Sequence, residues 1–244
     1  MNVISGKDYH DQTTFASETI DTSKDLDKSS LSIGYYKEFV ESDGIDPAIK
    51  KGFTDLLEKV KASGVEVKPL SFKDAEALVA TYYVVAMAET ASNLARLDGS
   101  MYGERLDADT LKDSYALTRS ENFTPETKRR IVGGNQVLSQ GHADEIYNKA
   151  SALRDEITKN FNQDLDSVSL ILSPISPAVP PKIGDSLEDP LAMYLSDIYT
   201  IGFSLSKLPT FSVPEGTETG IQITAGKAQE ELILQFANYL RLLD

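Results

Sequence analysis

The chain contains no cysteine in its 244 residues and only two histidines, His10 and His142. Without cysteine, disulfides, cysteine nucleophiles and zinc–thiolate sites are all excluded. Neither histidine lies in a motif typical of a catalytic triad. A Ser-His-Asp site that uses His142 is therefore a weaker interpretation than a surface imidazole near the start of a helix.

Basic residues are few for a chain of this size. Lysine and arginine number 24 against 38 aspartates and glutamates, which gives a net charge of −14. An acidic surface repels a phosphate backbone, so we do not expect direct binding to nucleic acid. Long apolar runs and a signal peptide are also lacking. These features predict a soluble cytoplasmic protein with no membrane association.

Several common active-site motifs are missing. The sequence has no G-x-S-x-G elbow, no H-E-x-x-H and no glycine-rich phosphate loop. The pair Gly133-Gly134 does not form the G-x-G-x-x-G of a dinucleotide site. Instead, two adjacent glycines inside a helix indicate a place where another element packs tightly. No metal ligand is predicted.

The first regular pattern in the chain predicts a βαβ unit. Residues 31–35 alternate like a strand, and Asp46-Pro47 then opens a helix with proline at its first position. This helix ends at Ser63-Gly64, and residues 65–67 form the next strand. A strand, a helix and a strand within this length favour a parallel pair.

The remaining pattern predicts further helices and strands with no linker between them. The class is therefore α/β, with residues 1–244 forming a single domain or half of a larger one. The predicted helices cover residues 73–97, 111–115, 143–160 and 229–243, with others starting at Thr124 and at Pro190, the last containing Met193, Tyr194 and Ile198. The predicted strands cover residues 168–172, 208–214 and 221–224.

Residues 82–103, YYVVAMAETASNLARLDGSMYG, are the most distinctive stretch. An apolar helix becomes small and polar at residues 90–93, and the stretch turns at Asp98-Gly99. This segment, together with MNVISGKDYHDQTTF, KRRI, MYLSDIYT and GIQI, resembles the A subunits of glutamyl-tRNA(Gln) amidotransferase, within the amidase signature family. The resemblance runs from residue 1 to about residue 222 and covers the C-terminal half of that family's sequence.

The resemblance implies a fold and a limit on activity. The expected fold is a mixed β-sheet covered by helices, the C-terminal half of the amidase-signature fold. The family's catalytic serine, second serine and lysine lie in its N-terminal half, around a Gly/Ser-rich stretch that this chain lacks. We therefore assign no catalytic residue and expect the chain alone not to hydrolyse glutamine. The initial methionine suggests a fragment or a split gene.

Three substrate-binding residues carry over from the family. The resemblance implies that Arg130 pairs with the α-carboxylate of glutamine, that Asp197 pairs with its α-ammonium group, and that Tyr82 lies at the substrate. Each has an ordinary alternative. An arginine in KRR is often a solvated charge, an aspartate within a helix is often exposed, and Tyr82 beside Tyr83 is often a core residue.

The chain also departs from the family pattern. The family's Gly-Leu-Pro is Lys207-Leu208-Pro209 here, and the Cys-Gly that commonly follows SVP is Glu215-Gly216. The segment between Pro214 and Gly220 is shortened. These changes lie near the part of the family sequence that supports the substrate pocket.

The resemblance implies a role in supplying ammonia for the amidation of misacylated tRNA, for glutamyl-tRNA(Gln) or aspartyl-tRNA(Asn). The implied partners are the B and C subunits of the amidotransferase, a separate N-terminal half and, only by way of the B subunit, tRNA. No cofactor is expected in this chain, because ATP and magnesium serve the B subunit. The acidic charge agrees with this division of work.

Two other functions remain open at this point. The first alternative is another amidase-signature hydrolase that acts on a simple amide. The second is an inactive truncated protein or a scaffold. Arg130 and Asp197 disfavour the first, since an apolar amide offers them no charged partner. The missing catalytic half favours the second. Because the resemblance implies a sheet shared between both halves, we also expect an exposed sheet edge or apolar face, and self-association or poor solubility without a partner.

Overall fold

The computed structural model describes residues 2–16, 19–22, 24, 26–42, 44–72, 75–141, 143–183, 196–214 and 220–243. The chain forms two compact units. The first consists of residues 1–79 and 157–244, and the second of residues 80–156. The interpretation of residues 1–244 as a single domain stays a prediction.

The first unit is built on a five-stranded mixed sheet with the order β2-β1-β3-β5-β4. Strand β1 pairs in parallel with β2 and β3, whereas β5 is antiparallel to both β3 and β4. The sheet confirms the predicted fold class and the parallel βαβ pair. The strands are β1 (Ser32–Tyr36), β2 (Glu66–Leu70), β3 (Leu170–Pro174), β4 (Thr210–Val213) and β5 (Ile221–Ala225).

Along the chain, helices alternate with the strands of this sheet, and the second unit contains only helices among its described regular elements. Those of the first unit are α1 (Lys37–Glu41), α2 (Pro47–Ala62), α7 (Ile198–Leu205) and α8 (Glu230–Leu240). Those of the second are α4 (Leu111–Asn122) and α5 (Pro125–Val137), while α3 (Ala75–Leu94) and α6 (Asn148–Ser167) carry the chain from one unit to the other. A π-helical turn, Ala143–Tyr147, precedes α6. Among the described residues, no helix combines the length and apolarity needed to cross a membrane.

The helix starts follow the capping signals in the sequence. The Asp46 side chain accepts a hydrogen bond from the backbone N–H of Ala48 at the start of α2. Thr124 accepts one from Thr127 at the start of α5, with Pro125 at the first position. Both contacts satisfy N–H groups that a helix leaves unpaired, which confirms the predicted starts of these helices.

Helix α4 is longer than predicted, because it continues to Asn122 rather than ending near residue 115. Its polar residues Ser114 and Thr118 are buried. Their hydroxyls accept hydrogen bonds from the backbone N–H groups of Ala108 and Leu106, at 2.9 Å in each case. The buried face of this helix therefore carries polar residues, and a prediction based on the spacing of apolar residues does not detect it.

The core of the first unit lies around β3 and β5, which are buried over their full length. Helix α2 contributes Phe53 and Val60, and α8 contributes Phe236 and Leu240; each of these side chains is completely or almost completely buried. An aromatic cluster of Tyr36, Phe39, Phe72 and Phe161 extends this core, with ring centroids 4.9–6.2 Å apart.

Helix α6 also extends beyond its predicted end at residue 160, as far as Ser167. The added turns bury Phe161 and bring Asp164 to the Tyr36 hydroxyl, which donates to Oδ2 at 2.7 Å. The predicted helix from Pro190 is described only as α7, since Pro190, Met193 and Tyr194 lie outside the described residues.

Candidate functional site

Two consecutive glycines bring α5 against α3 in the second unit. A Cβ on Gly134 would lie 2.6 Å from the Met87 carbonyl carbon and 2.7 Å from the Ala91 Cβ, closer than real atoms approach. A Cβ on Gly133 would meet only the Met87 sulfur, at 2.7 Å. The glycines therefore lie where another element packs tightly, as the sequence predicts.

This close crossing brings Arg130 of α5 to Tyr82 and Tyr83 of α3. The Arg130 Nε donates to Glu126 Oε1 at 3.0 Å, and its guanidinium carbon lies 5.9 Å from the centroid of the Tyr83 ring. The side chain is 31% exposed. Hydrogen bonding to Glu126 raises the pKa of Arg130 above its usual value; partial burial opposes this effect, and the Tyr82 hydroxyl adds to it. The Arg130 guanidinium is therefore positioned by neighbouring side chains and is not freely solvated.

The two tyrosines differ in environment. Tyr83 is almost fully buried, at 8% exposure, whereas Tyr82 is half-buried. Their rings meet edge to face, with centroids 5.1 Å apart. Tyr83 thus supports the guanidinium from the core, and Tyr82 presents its hydroxyl beside it. The structure brings together two of the three predicted substrate-binding residues.

The third predicted residue, Asp197, belongs to the first unit. It is exposed and lies directly before α7, where its carbonyl oxygen accepts from Ile201 N at 3.1 Å and from Thr200 Oγ1 at 3.0 Å. Asp197 is therefore the N-cap residue of α7. The pairing of Asp197 with a ligand held by Arg130 stays a prediction, as do the substrate roles of all three residues.

A buried amide fixes the segment that carries Asp197. The Nε2 of Gln222, in β5, donates to Ser173 Oγ at 2.8 Å and to the Tyr199 carbonyl at 2.6 Å. Gln222 is 2% exposed. The Tyr199 hydroxyl in turn lies 3.4 Å from Ser42 Oγ. The sequence analysis missed this network, although a glutamine between two isoleucines in a strand is a signal for a buried polar partner.

Arg119 closes the end of α3. Its Nη1 donates to the carbonyls of Leu94 and Leu97, at 2.7 and 3.0 Å, and its guanidinium lies 4.9 Å from the Phe123 ring centroid. The predicted turn follows, with Gly99 at a φ of 80°. A cavity of about 330 Å³ lies here, lined by Leu97, Gly99, Tyr102, Gly103, Glu104, Thr118, Arg119, Asn122 and Phe123.

Lys207, the first residue of the Lys207-Leu208-Pro209 sequence, adopts a φ of 55°. It follows the last turn of α7, and its N–H donates to the Ser204 carbonyl, while Leu208 N–H donates to the Phe203 carbonyl, both at 3.2 Å. This is the Schellman ending, which favours glycine. The predicted departure at Glu215-Gly216 lies outside the described residues.

The histidines supply no catalytic arrangement within the described residues. His10 is exposed, and its backbone N–H donates to Asp8 Oδ1 at 2.8 Å. His142 lies outside the described residues. In the part of the chain that is described, no group of three or more His, Cys, Asp or Glu side chains is arranged to hold a metal ion.

Comparison with known proteins identifies relatives of this chain. Residues 1–234 match the amidase family. The chain is 37% identical to a glutamyl-tRNA(Gln) amidotransferase A subunit of Desulfatibacillum aliphaticivorans, over 99% of this chain and 51% of that protein. It is 40% identical to an A subunit, numbered 2, of the same enzyme in Clostridium acetobutylicum, over 98% and 52%.

A solved structure agrees with these relatives. The crystal structure of the Thermotoga maritima glutamyl-tRNA(Gln) amidotransferase A subunit matches with a TM-score of 0.67 and 28% identity, over 95% of this chain and 47% of that one. The chain thus spans about half the length of the curated relatives it matches. This span agrees with a resemblance to one half of the family's sequence.

Proposed function

The chain belongs to the amidase family, and from this we propose that it is the C-terminal portion of an A subunit of glutamyl-tRNA(Gln)/aspartyl-tRNA(Asn) amidotransferase. In this role it helps form a glutamine pocket. Glutamine hydrolysis there releases ammonia for the amidation of misacylated tRNA, a cytoplasmic step of protein biosynthesis. The similarity to curated A subunits supports this assignment over that of a simple amide hydrolase.

The observation that carries the proposal is the environment of Arg130. A guanidinium has five N–H donors in a planar fork, and a carboxylate accepts two of them in parallel. Glu126 takes the Nε donor, and Tyr82 interacts beside it. Donors therefore remain for a ligand, and partial burial strengthens their interaction with a carboxylate.

Asp197 and Tyr82 complete the proposed recognition of glutamine. The exposed Asp197 carboxylate is assigned to the α-ammonium group, and the Tyr82 hydroxyl to a polar atom of the ligand beside Arg130. A free amino acid carries both charges, so two opposite partners select it over an uncharged amide. The Gln222 contact with the Tyr199 carbonyl supports the position of the Asp197 segment.

The other components of the reaction come from partners. A separate N-terminal half supplies the nucleophilic serine, the second serine and the lysine. The tRNA is held by the B subunit, which uses ATP and magnesium, and the C subunit joins the other two. The net charge of −14 suits a chain that contacts tRNA only by way of the B subunit. No cofactor is assigned to this chain.

Complementation tests the proposal. The chain is mixed with a separately produced N-terminal half of an amidotransferase A subunit, and ammonia release from glutamine is measured. We expect activity from the mixture and none from either part alone. Arg130→Lys loses the planar fork and lowers kcat/KM for glutamine by roughly tenfold or more. The matched control is Arg129→Lys, since Arg129 is the neighbouring arginine, is 61% exposed and also contacts Glu126.

Three outcomes contradict the proposal. Ammonia release by the purified chain alone places the catalytic residues within it. A mixture that binds stably but remains inactive with glutamine leaves a scaffold as the function. An equal decrease in kcat/KM for glutamine in Arg130→Lys and Arg129→Lys contradicts a specific role of Arg130 in binding the substrate.

A further inference from the structure

We propose that Glu126 is a positioning residue, which holds the Arg130 guanidinium in the orientation that receives a ligand carboxylate. The inference rests on the proposed function, because it names the group that prepares the same site. Glu126 touches no ligand in this scheme. It acts only through Arg130.

The position of Glu126 on α5 makes this contact a rigid one. Glu126 lies four residues before Arg130, so both side chains share one face of the helix, in the favourable order of acid before base. It is also in the first helical turn, where the helix dipole stabilises a carboxylate. Thr124, the N-cap of α5, fixes the backbone of this turn. The Glu126 carboxylate, which accepts from Arg130 Nε at 3.0 Å, therefore projects from a backbone that the N-cap restrains.

A second surface restrains the guanidinium away from α5. The buried Tyr83 ring lies 5.9 Å from it, within the distance of a cation–π contact, and Tyr82 interacts with it as well. An arginine side chain normally has many rotamers, and binding a ligand restricts them at a cost in affinity. At Arg130 the contacts with α3 and Glu126 impose most of that restriction before the ligand arrives.

Glu126 also has an effect that opposes binding, so the direction in which glutamine affinity changes when Glu126 is removed tests the proposal. Its negative charge lies next to the place where a ligand carboxylate binds, and like charges repel. If charge alone mattered, removal of Glu126 would strengthen glutamine binding. If positioning dominates, removal weakens it. An amide in place of the acid keeps an oxygen acceptor for Nε and removes the repulsion.

Two substitutions in the full chain separate these effects. The dissociation constants for L-glutamine and for L-glutaminamide, which lacks the carboxylate, are measured by NMR titration of the full chain. We expect Glu126→Ala to weaken glutamine binding by about two- to tenfold, the range expected for freeing one long side chain, with no change for glutaminamide. Glu126→Gln retains binding within about twofold. The control is Glu121→Ala, an exposed glutamate at the end of α4.

The Arg130 Nε–H signal gives a readout that needs no ligand. In the wild type and in Glu126→Gln we expect slow exchange of this proton with water, and in Glu126→Ala fast exchange. Unchanged or stronger glutamine binding by Glu126→Ala overturns the positioning role. Equal weakening for glutamine and glutaminamide also overturns it, because a general loss of structure explains that result.

The failure of the proposed function gives a different pattern. If the wild-type chain and its mixture with the N-terminal half both fail to bind glutamine, or if Arg130→Lys binds it as well as the wild type does, the glutamine pocket is wrong and this inference falls with it. If Arg130→Lys abolishes binding but Glu126→Ala does not weaken it, the pocket stands and only the role of Glu126 is wrong.

Discussion

The backbone of Gly134 in α5 packs directly against the carbonyl group of Met87 in α3, with no room between them for a Cβ. This one contact sets how closely the two helices approach. It therefore also sets the distance between Arg130 and the tyrosine pair Tyr82 and Tyr83.

Substitution of Gly134 by alanine is expected to destabilise the protein. The gain in helix propensity is about 1 kcal/mol, but the new methyl group meets backbone, which cannot move aside, and such overpacking costs about 1–3 kcal/mol or more. Urea unfolding measures the net loss. Gly133→Ala is the matched control, because its Cβ meets only the Met87 sulfur, the far end of a flexible side chain. Equal destabilisation by both substitutions contradicts this account.

Substitution of Lys207 by glycine is expected to stabilise the protein by about 1 kcal/mol, because a φ of 55° strains any residue with a Cβ. Thermal and urea unfolding measure the change. Lys207→Ala removes the charge but keeps the Cβ, so it is expected to leave stability nearly unchanged. If alanine stabilises as much as glycine does, the lysine charge and not the backbone is responsible.

The contact of Asp164 with Tyr36 predicts a pH dependence. Burial raises the pKa of Asp164, against the opposing hydrogen bond from Tyr36, so the folded protein binds this proton more tightly than the unfolded chain does. The stability that protonation adds is present at low pH and is lost as the pH rises through the folded-state pKa.

Asp164→Asn tests this effect, because it keeps an acceptor for the Tyr36 hydroxyl and does not titrate. We expect the free energy of unfolding of the wild type, minus that of the variant, to fall with rising pH over the range above the usual aspartate pKa of about 4. Urea unfolding over this range measures it. A difference that rises with pH means that the pKa of Asp164 is lowered in the folded protein.

Substitution of Gln222 by leucine is expected to cost about 2–4 kcal/mol. The side chain has a similar size, but the buried Ser173 hydroxyl loses its donor, at about 1–3 kcal/mol for a buried group left unpaired. The Tyr199 carbonyl, which lies within α7, loses a hydrogen bond worth about 1 kcal/mol. Ser206→Ala is the control, since the Ser206 hydroxyl is buried without a partner among the described residues. That control is expected to be neutral or slightly stabilising. A mild effect of Gln222→Leu contradicts the importance of the network.

The outer strand β4 predicts self-association of the isolated chain. Among the described strands it pairs only with β5, and Phe211 on it is 43% exposed. Phe211→Lys places a charge on this edge and is expected to shift sedimentation toward monomer. Val132→Lys on α5 is the control, because Val132 is 70% exposed but not on the sheet edge. A wild-type chain that is already monomeric removes the basis of the prediction.

The sequence predicts the sheet well, for a physical reason. Strand β3 is buried over its full length, and its residues Leu170, Ile171 and Leu172 appear in the sequence as a short apolar run that ends at a proline-rich segment. Strand β5 is also fully buried, but it alternates apolar and polar residues, which is the period of a strand. Helix α1 is not predicted, since Lys37–Glu41 follows β1 directly and is too short to show a helical period. The length of α4 is missed because its buried residues are polar.

The candidate site is only partly predictable from the residues. Arg130 and Tyr82 are singled out by family likeness, yet their proximity depends on which helix packs on α5. Periodicity gives the apolar face of a helix but not its neighbour. The Gly133-Gly134 pair signals a tight contact without naming Met87. The role of Gln222 depends on a register between β3 and β5 that only the folded sheet provides.

The order of the strands has a consequence for synthesis on the ribosome. Strand β5 is the last of the described strands along the chain but lies inside the sheet, between β3 and β4. A nascent chain that has emerged only as far as residue 214 therefore carries β3 and β4 without the segment that joins them. Until residues 221–225 leave the exit tunnel, both strands present open hydrogen-bonding edges, and this late stage is where a trigger-factor-like chaperone has most to protect.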